Sequence, residues 1–216
     1  SRAAANGQLV NFSATPLAIP GTVITLDYDA ADGPVLQASG TLDVDLFGFV
    51  RLAGSFAVQK SSDQFVLADN DHTVQDVNLL TIGGRNVDAF AGVNGNSSNR
   101  AGLVLSDVEF GLVLATSKAE PDRQWTALSA TAGSVEIVGI PNVTLSANDL
   151  TLSINQPDSQ GQVLDFARKM LFVRTGTDTL DGVTVDTGVT LDFDGARGPV
   201  LEAAGTPTLG VGDFFH

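Results

Sequence analysis

Apolar and polar residues alternate with a period of two between Leu36 and Val58. The even positions of this segment are all apolar or glycine, whereas most of the odd positions are polar. Successive side chains of a strand point to opposite faces, so the alternation predicts a strand with one buried face. A straight strand of this length would span about 75 Å, whereas strands in compact domains usually contain about 3–10 residues. The pattern therefore indicates either bends at Gly40, Gly48 and Gly54 or an elongated sheet.

The same alternation returns later in the chain, with one change of phase. Apolar positions are odd from Val135 to Ala147 but even from Leu150 to Ile154. A one-residue change of phase requires a turn or a bulge, which the sequence Ser-Ala-Asn-Asp at 146–149 suits. Helical spacing between Val163 and Leu171 predicts one short helix. We therefore expect an all-β chain with an elongated repeat architecture, built as β-solenoid-like coils or as a long twisted antiparallel sheet.

A segment of 17 residues occurs twice in the chain. TLDYDAADGPVLQASGT, from Thr25 to Thr41, returns 165 residues later as TLDFDGARGPVLEAAGT, from Thr190 to Thr206, with 12 identical positions. Chance would give about one identity. A weaker match relates GQLVNFSA at 7–14 to GQVLDFAR at 161–168. We therefore expect residues 1–160 to form one full β-rich repeat and residues 161–216 to begin the next, as in a tandem array.

Composition and charge narrow the functional classes. With 43% hydrophobic and 17% charged residues, the chain can bury a core and is not expected to be disordered. Its 25 acidic and 11 basic side chains give a net charge of −14, which disfavours nucleic acid and anionic lipid as partners. The chain has no cysteine and no apolar segment that predicts a membrane span. These features favour an extracellular or cell-surface protein without nucleic-acid binding or membrane insertion.

Four carboxylates are candidate calcium ligands, because calcium prefers hard oxygen ligands. Asp27 and Asp29 lie in LDYDAADG, and Asp69 and Asp71 lie in ADNDHTVQD. The second segment lacks the glycine and the terminal glutamate of an EF-hand loop. The alternative for both segments is a solvated polar surface next to a turn.

The repeat provides an internal test of the first calcium candidate. Its two aspartates return in the second copy as Asp192 and Asp194, but Asp32 returns as Arg197. A calcium site that used all three carboxylates would not be shared by the two copies. A pair of carboxylates helped by backbone carbonyls remains as the calcium hypothesis.

Residues that could support catalysis are scarce. The only histidines are His72 and His216, and the chain contains no Gly-x-Ser-x-Gly, His-Glu-x-x-His or phosphate-binding motif. Paired carboxylates can cleave glycosides, but sugar platforms are aromatic, and Trp125 lies in the apolar phase of its strand. We expect that the protein is not an enzyme. The alternative is a β-helical polysaccharide-binding or polysaccharide-cleaving module.

Two blocks carry a resemblance to a known class of proteins. TLDYDAADGPVLQASGTLDVDLFGFVRLAGSFAVQKS and SVEIVGIPNVTLSANDLTLSINQ resemble the long tandem repeats of giant bacterial cell-surface and extracellular proteins, of the adhesin-like or haemolysin type. The resemblance implies a secreted, non-catalytic β-rich stalk, adhesin or filamentous fibre. It also implies that the partners are neighbouring repeats, other copies of the chain or cell-surface glycans. Calcium occurs in some of these proteins, but no glycine-rich nonapeptide calcium repeat is present here.

Overall fold

The computed structural model describes residues 9–22, 25–30 and 36–212, which form an all-β structure. Its strands are β1 (Leu17–Ala18), β2 (Thr25–Leu26), β3 (Leu36–Leu46), β4 (Val50–Val66), β5 (Val74–Val93), β6 (Ala101–Ser117), β7 (Gln124–Val138), β8 (Val143–Gln156), β9 (Leu171–Leu180), β10 (Val183–Leu191) and β11 (Val200–Val211). Seven of them form one antiparallel sheet in the order β11-β8-β7-β6-β5-β4-β3. Two hairpins, β1–β2 and β9–β10, lie outside this sheet. The all-β prediction is confirmed, and of its two forms the long antiparallel sheet is the one observed.

The alternation between Leu36 and Val58 covers a hairpin of two strands. The chain reverses between Leu46 and Val50, which lie opposite each other in the β3–β4 ladder. Phe47 and Gly48 have positive φ angles of 55° and 71°, and the Phe49 N–H donates to the Leu46 carbonyl at 3.0 Å. Of the interruptions predicted at glycines, the one at Gly48 is observed, as a full reversal, whereas Gly40 and Gly54 lie inside β3 and β4. A single strand over the whole segment does not form, because a three-residue loop keeps the apolar phase and hides the reversal.

A line of β-bulges crosses the middle of the sheet. The register shifts between Ala53 and Ser55 where β4 meets β5, and between Ala204 and Thr206 where β11 meets β8. An extra residue moves the side chains that follow it to the other face. The phase change predicted at 146–149 is thereby confirmed. Positive φ angles mark the bulges at Asn86, Asp107 and Asp149.

The hydrophobic core lies between one face of the sheet and the β9–β10 hairpin with its preceding segment. Glycines on the sheet allow the hairpin backbone to come close. A Cβ atom on Gly83 would lie 2.0 Å from the Arg174 carbonyl oxygen, and one on Gly111 would lie 3.0 Å from the Val173 Cβ. The core side chains are those of Phe65, Leu67, Val77, Leu79, Val113, Ala115, Trp125, Ala127, Leu164, Phe166, Val173 and Leu191.

The short helix predicted between Val163 and Leu171 does not form. Leu164 instead makes an isolated antiparallel bridge to Leu67, and the Asp165 N–H donates to the Val66 carbonyl at 2.9 Å. Val163, Leu164 and Phe166 are buried in the core, whereas Met170, on the predicted apolar side of the helix, is 66% exposed. Residues 9–22, 25–30 and 36–212 contain no helix that is long and apolar enough to cross a membrane.

The sheet face that the sequence predicts to be buried is exposed. We call it the outer face; it carries the even-numbered side chains of β3 and β4, and the β9–β10 hairpin packs on the opposite face. On the outer face Leu36 is 72% exposed and Leu46 is 52% exposed, whereas Ala57 and Phe65 on the covered face are 3% and 1% exposed. On the covered face the hairpin packs over Gly83 and Gly111, where no side chain blocks the approach of its backbone. The prediction of a buried face is therefore wrong in this chain.

Candidate functional site

The two copies of the repeated segment end in the two outermost strands of the sheet. β3 begins at Leu36 and β11 at Val200, and they lie at opposite ends of the strand order. Their likeness continues past the identical segment, because Val44 and Leu46 of β3 correspond to Leu209 and Val211 of β11. The duplicated segments therefore lie at the two opposite ends of the seven-stranded sheet.

The copies also share a contact between their weaker and stronger blocks. In the first copy the Phe12 N–H donates to the Tyr28 carbonyl at 2.9 Å. In the second copy the Ala167 N–H donates to the carbonyl of Phe193, which is the counterpart of Tyr28, at 3.0 Å. The two blocks thus pair in both copies, with the donor displaced by one residue.

The two outermost strands use opposite edges for pairing. β11 pairs with β8 from Val200 opposite Asn155 to Val211 opposite Val143. β3 pairs with β4 through the edge that corresponds to the unpaired edge of β11. Within the described residues no strand pairs with the second edge of either strand. In the described part of the chain, each end of the sheet therefore has an edge without a strand partner, the usual template for adding another strand.

Rows of apolar side chains cross the outer face through all seven strands of the sheet. Contiguous exposed apolar surface of this kind marks sites of protein association. Members that are exposed include Val58, Leu103 and Leu145 in the interior of the sheet, besides the edge residues Leu201 and Leu209. One row contains Ala38, Val58, Ile82, Leu112, Leu128, Ile154 and Leu201, and another contains Leu46, Val50, Ala91, Leu103, Ile137, Leu145 and Leu209.

The first pair of calcium candidates lies beside a local turn. Asp29 accepts hydrogen bonds from the Asn11 side-chain amide at 3.2 Å and from the Ser13 hydroxyl at 3.3 Å. Its counterpart Asp194 caps a short 3-10 turn by accepting the Ala196 N–H at 2.9 Å. Asp27 is exposed. Asp32, the third carboxylate of this segment, lies outside the described residues.

The second pair of calcium candidates lies in the turn between β4 and β5. Asp69 accepts the Thr73 N–H at 2.9 Å across His72, whose φ is 50°. Two hydrogen bonds from Thr73 hold the pKa of Asp69 below its ordinary value; the one from its hydroxyl has the larger effect and the one from its backbone N–H the smaller. Asp71 is exposed. In the described part of the chain, no group of three or more His, Cys, Asp or Glu side chains is arranged to hold a metal ion.

We expect calcium to leave the thermal unfolding midpoint unchanged, because Asp29, Asp69 and Asp194 accept hydrogen bonds that stabilise turns. Ligand binding to the native state would raise the midpoint, by about 2.7 kcal/mol of stability at a hundredfold excess over Kd. The measurement is a melting curve in calcium and in excess chelator, with Asp29→Asn and Asp69→Asn as separate variants. A chelator-reversible rise that one of these variants removes would contradict the expectation and establish the site.

A polar groove next to His72 has carboxylates that are likewise held in turns. Asp165 accepts the N–H groups of Arg168 and Gly195 through Oδ1, each at 3.3 Å. The Arg168 Nε donates to Asp165 Oδ2 at 3.1 Å, and Arg168 Nη2 lies 3.3 Å from the Nε2 atom of His72. Asp69 and Asp194 line the same groove. Its acidic groups therefore fix the local backbone around the core segment.

A second groove, of about 350 Å³, lies on the face opposite the outer face, at the end that the β9–β10 hairpin does not cover. Its lining includes Asp43, Arg51, Asp88, Phe90 and Arg100. The Arg100 guanidinium lies 5.9 Å from the centre of the Phe90 ring. Sequence patterns do not reveal this groove, because its residues come from separate strands. The only local signal is the alternation that places Asp43 and Arg51 on the same face of the β3–β4 hairpin, where Arg51 lies opposite Asp45.

Comparison with protein-family models, with curated proteins and with solved structures finds no match to this chain.

Proposed function

We propose that this chain is a non-catalytic structural repeat unit of a large secreted or cell-surface stalk, adhesin or extracellular fibre. The observation that carries the proposal is the placement of the duplicated segments in β3 and β11, the two outermost strands of one sheet. A repeat that ends where the next copy contributes a strand is coupled to its neighbour through backbone pairing. Such coupling between adjacent units is how repeat proteins gain stability.

The outer face supports neighbouring repeats or other copies as the partners. Its apolar rows expose leucine and valine side chains that burial against another copy would remove from water. The net charge of −14 keeps a long assembly soluble and disfavours nucleic acid as a partner. Cohesion between units and presentation of surface are the roles that these features fit.

The polysaccharide module remains a second candidate because of one observation. The groove of Asp43, Arg51, Asp88 and Arg100 combines carboxylate and guanidinium groups at an open surface. Against a platform role, Phe90 is only 5% exposed, and Asp88 already accepts the N–H of Asp107 in the bulge at 3.1 Å. Turnover of an acidic or neutral polysaccharide that Asp43→Asn removes would favour this second function over the structural one.

The structural proposal predicts that length grows with copy number. Appending residues 52–216 after His216 extends the chain by one repeat, since residues 190–206 correspond to 25–41. We expect electron microscopy of chains with one, two and three copies to show particles that lengthen by equal increments. Particles whose copies separate as independent beads, or that aggregate without order, would be evidence against the proposal.

A further inference from the structure

We propose that the open edge of β3 binds a β8-type strand from a preceding copy of the repeat, in the register that β11 adopts on β8. The proposal rests on the repeat function and specifies how neighbouring units join. The chain supplies its own template, because β11 corresponds to β3 and already lies against β8 over the range from Val200 to Val211. Consecutive repeats are then joined edge to edge through backbone hydrogen bonds between β3 and a β8-type strand.

Gly40 of β3 indicates which kind of strand the open edge binds. Gly205 of β11 faces the bulge of β8, where an added Cβ would lie 2.9 Å from the Leu150 Cδ1 and 3.3 Å from its Cα. Gly54 of β4 similarly faces the bulge of β5, with Val87 Cγ2 at 2.7 Å. Gly40 is the counterpart of Gly205, yet a Cβ there would meet nothing within 4 Å. Glycine weakens a strand, so its presence at Gly40 is explained by a bulged neighbour such as β8.

The backbone groups of β3 match those that β11 directs at β8. The Leu46 carbonyl faces β4, because it accepts the Phe49 N–H within the hairpin. Direction alternates along a strand, so the N–H groups of Thr41 and Asp43 face the open edge. In β11 the Gly212 N–H donates to the Asn142 carbonyl at 2.7 Å. The backbone N–H and C=O groups of the even-numbered residues before Gly212 therefore face β8. Thr206 and Thr208, the counterparts of Thr41 and Asp43, are among them.

The imperfect part of the duplication agrees with this direction. β11 carries Pro207 where β3 carries Leu42. Proline has no N–H and is tolerated in a strand where that position faces away from the partner. The alternation places Pro207 on the side facing away from β8, so the substitution leaves the ladder to β8 intact.

Side chains at the new junction would also be compatible. In the β11 register Val44 would lie opposite Leu145, and Leu46 opposite Val143, giving apolar pairs on the outer face. Asp43 would lie opposite Ser146, so its carboxylate meets a hydroxyl-bearing residue and no like charge. Cross-strand apolar pairs stabilise a ladder, and opposed like charges destabilise one.

The test uses the full 216-residue chain and a fluorescent synthetic peptide of residues 143–156. We expect saturable binding by fluorescence anisotropy, and no binding of a scrambled peptide. Gly40→Ala should weaken binding by about five- to hundredfold, because the added methyl overlaps the bulge, while leaving the melting midpoint unchanged or raised. Ser39→Ala is the matched control, since β11 has Ala204 at that position and pairs with β8; it should bind like the parent chain.

The register has its own measurement, since the chain has no cysteine of its own. Val44→Cys in the chain should form a disulfide with a peptide that carries Leu145→Cys. A peptide with Ser146→Cys should not react at a comparable rate, because its side chain points to the other face. The proposal is overturned if the peptide does not bind the parent chain, or if Gly40→Ala leaves the binding unchanged. Equal reaction rates of the two cysteine peptides would also overturn it.

The two proposals fail separately. If multi-copy chains lengthen regularly but the peptide is not captured at β3, the units are structural repeats joined in another way. If the peptide is captured in register but multi-copy chains do not lengthen, the edge pairing stands and the stalk function is wrong.

Discussion

Replacing Asp158 with alanine should lower the free energy of unfolding by about 3–5 kcal/mol, the range for breaking a buried ion pair from one side. The Arg123 Nε donates to Asp158 Oδ2 at 2.6 Å, and the two side chains are only 10% and 0% exposed. Asp158 Oδ1 also accepts the N–H groups of Gln160 and Gln162, each at 2.9 Å. Alanine leaves the Arg123 charge buried without a partner and removes the acceptor for both N–H groups.

The effect should spread to the core through Trp125. The Trp125 Nε1 donates to the Gln162 carbonyl at 2.9 Å, and the Arg123 guanidinium lies 5.4 Å from the indole ring centre. Denaturant unfolding followed by Trp125 fluorescence measures both stability and the local change, because the chain has no other tryptophan.

Two variants separate charge from hydrogen bonding at this site. Asp158→Asn keeps an acceptor for the backbone N–H groups and should lose less stability than Asp158→Ala. Adding Arg123→Met to Asp158→Ala should recover part of the loss, because the unpaired charge is then absent. A loss below about 1 kcal/mol for Asp158→Ala, as for an exposed pair, would show that the pair is not buried in solution.

Replacing Phe166 with alanine should cost a similar amount, about 3–5 kcal/mol, because it opens a cavity in the core. Phe166 is fully buried, with its ring centre 5.3 Å from that of Phe65 and 6.2 Å from that of Phe193. Its ring joins the segment after β8 to β4 and to the turn after β10. The cavity should therefore loosen the packing of the β9–β10 hairpin on the sheet.

The matched control for Phe166 is a large apolar residue nearby that is exposed. Met170 is 66% exposed, and Met170→Ala should change stability by no more than about 0.5 kcal/mol. Equal effects of the two variants in denaturant unfolding would mean that the segment after β8 does not pack on the sheet. Hydrogen exchange in β9 and β10 should accelerate in Phe166→Ala only.

Several elements of the fold follow from local sequence. The alternation gives strands because a pleated backbone directs neighbouring side chains to opposite faces. The phase change at 146–149 gives the bulge at Asp149, since one extra residue must shift the phase. The 165-residue offset makes β3 and β11 equivalent strands, because the same residues recur in both copies. For the site, the sequence identified the duplicated segments but not that they lie at opposite edges.

The covered face of the sheet and the open edges depend on contacts between distant residues, whereas the reversal at Gly48 and the hydrogen bonds of Asp69 are local but are not specified by the alternation or by the acidic pattern. A three-residue loop preserves the phase, so alternation alone does not separate a hairpin from one long strand. Burial of a face requires a partner, and the β9–β10 hairpin can approach only where Gly83 and Gly111 leave room for its backbone. Asp29 and Asp69 look like calcium ligands in sequence, but the fold brings hydrogen-bond donors from Asn11 and Thr73 to them. Period and repetition are local properties that the sequence determined by itself. Which face is covered and which edge stays open were decided only by the tertiary structure, because both depend on which distant strands meet.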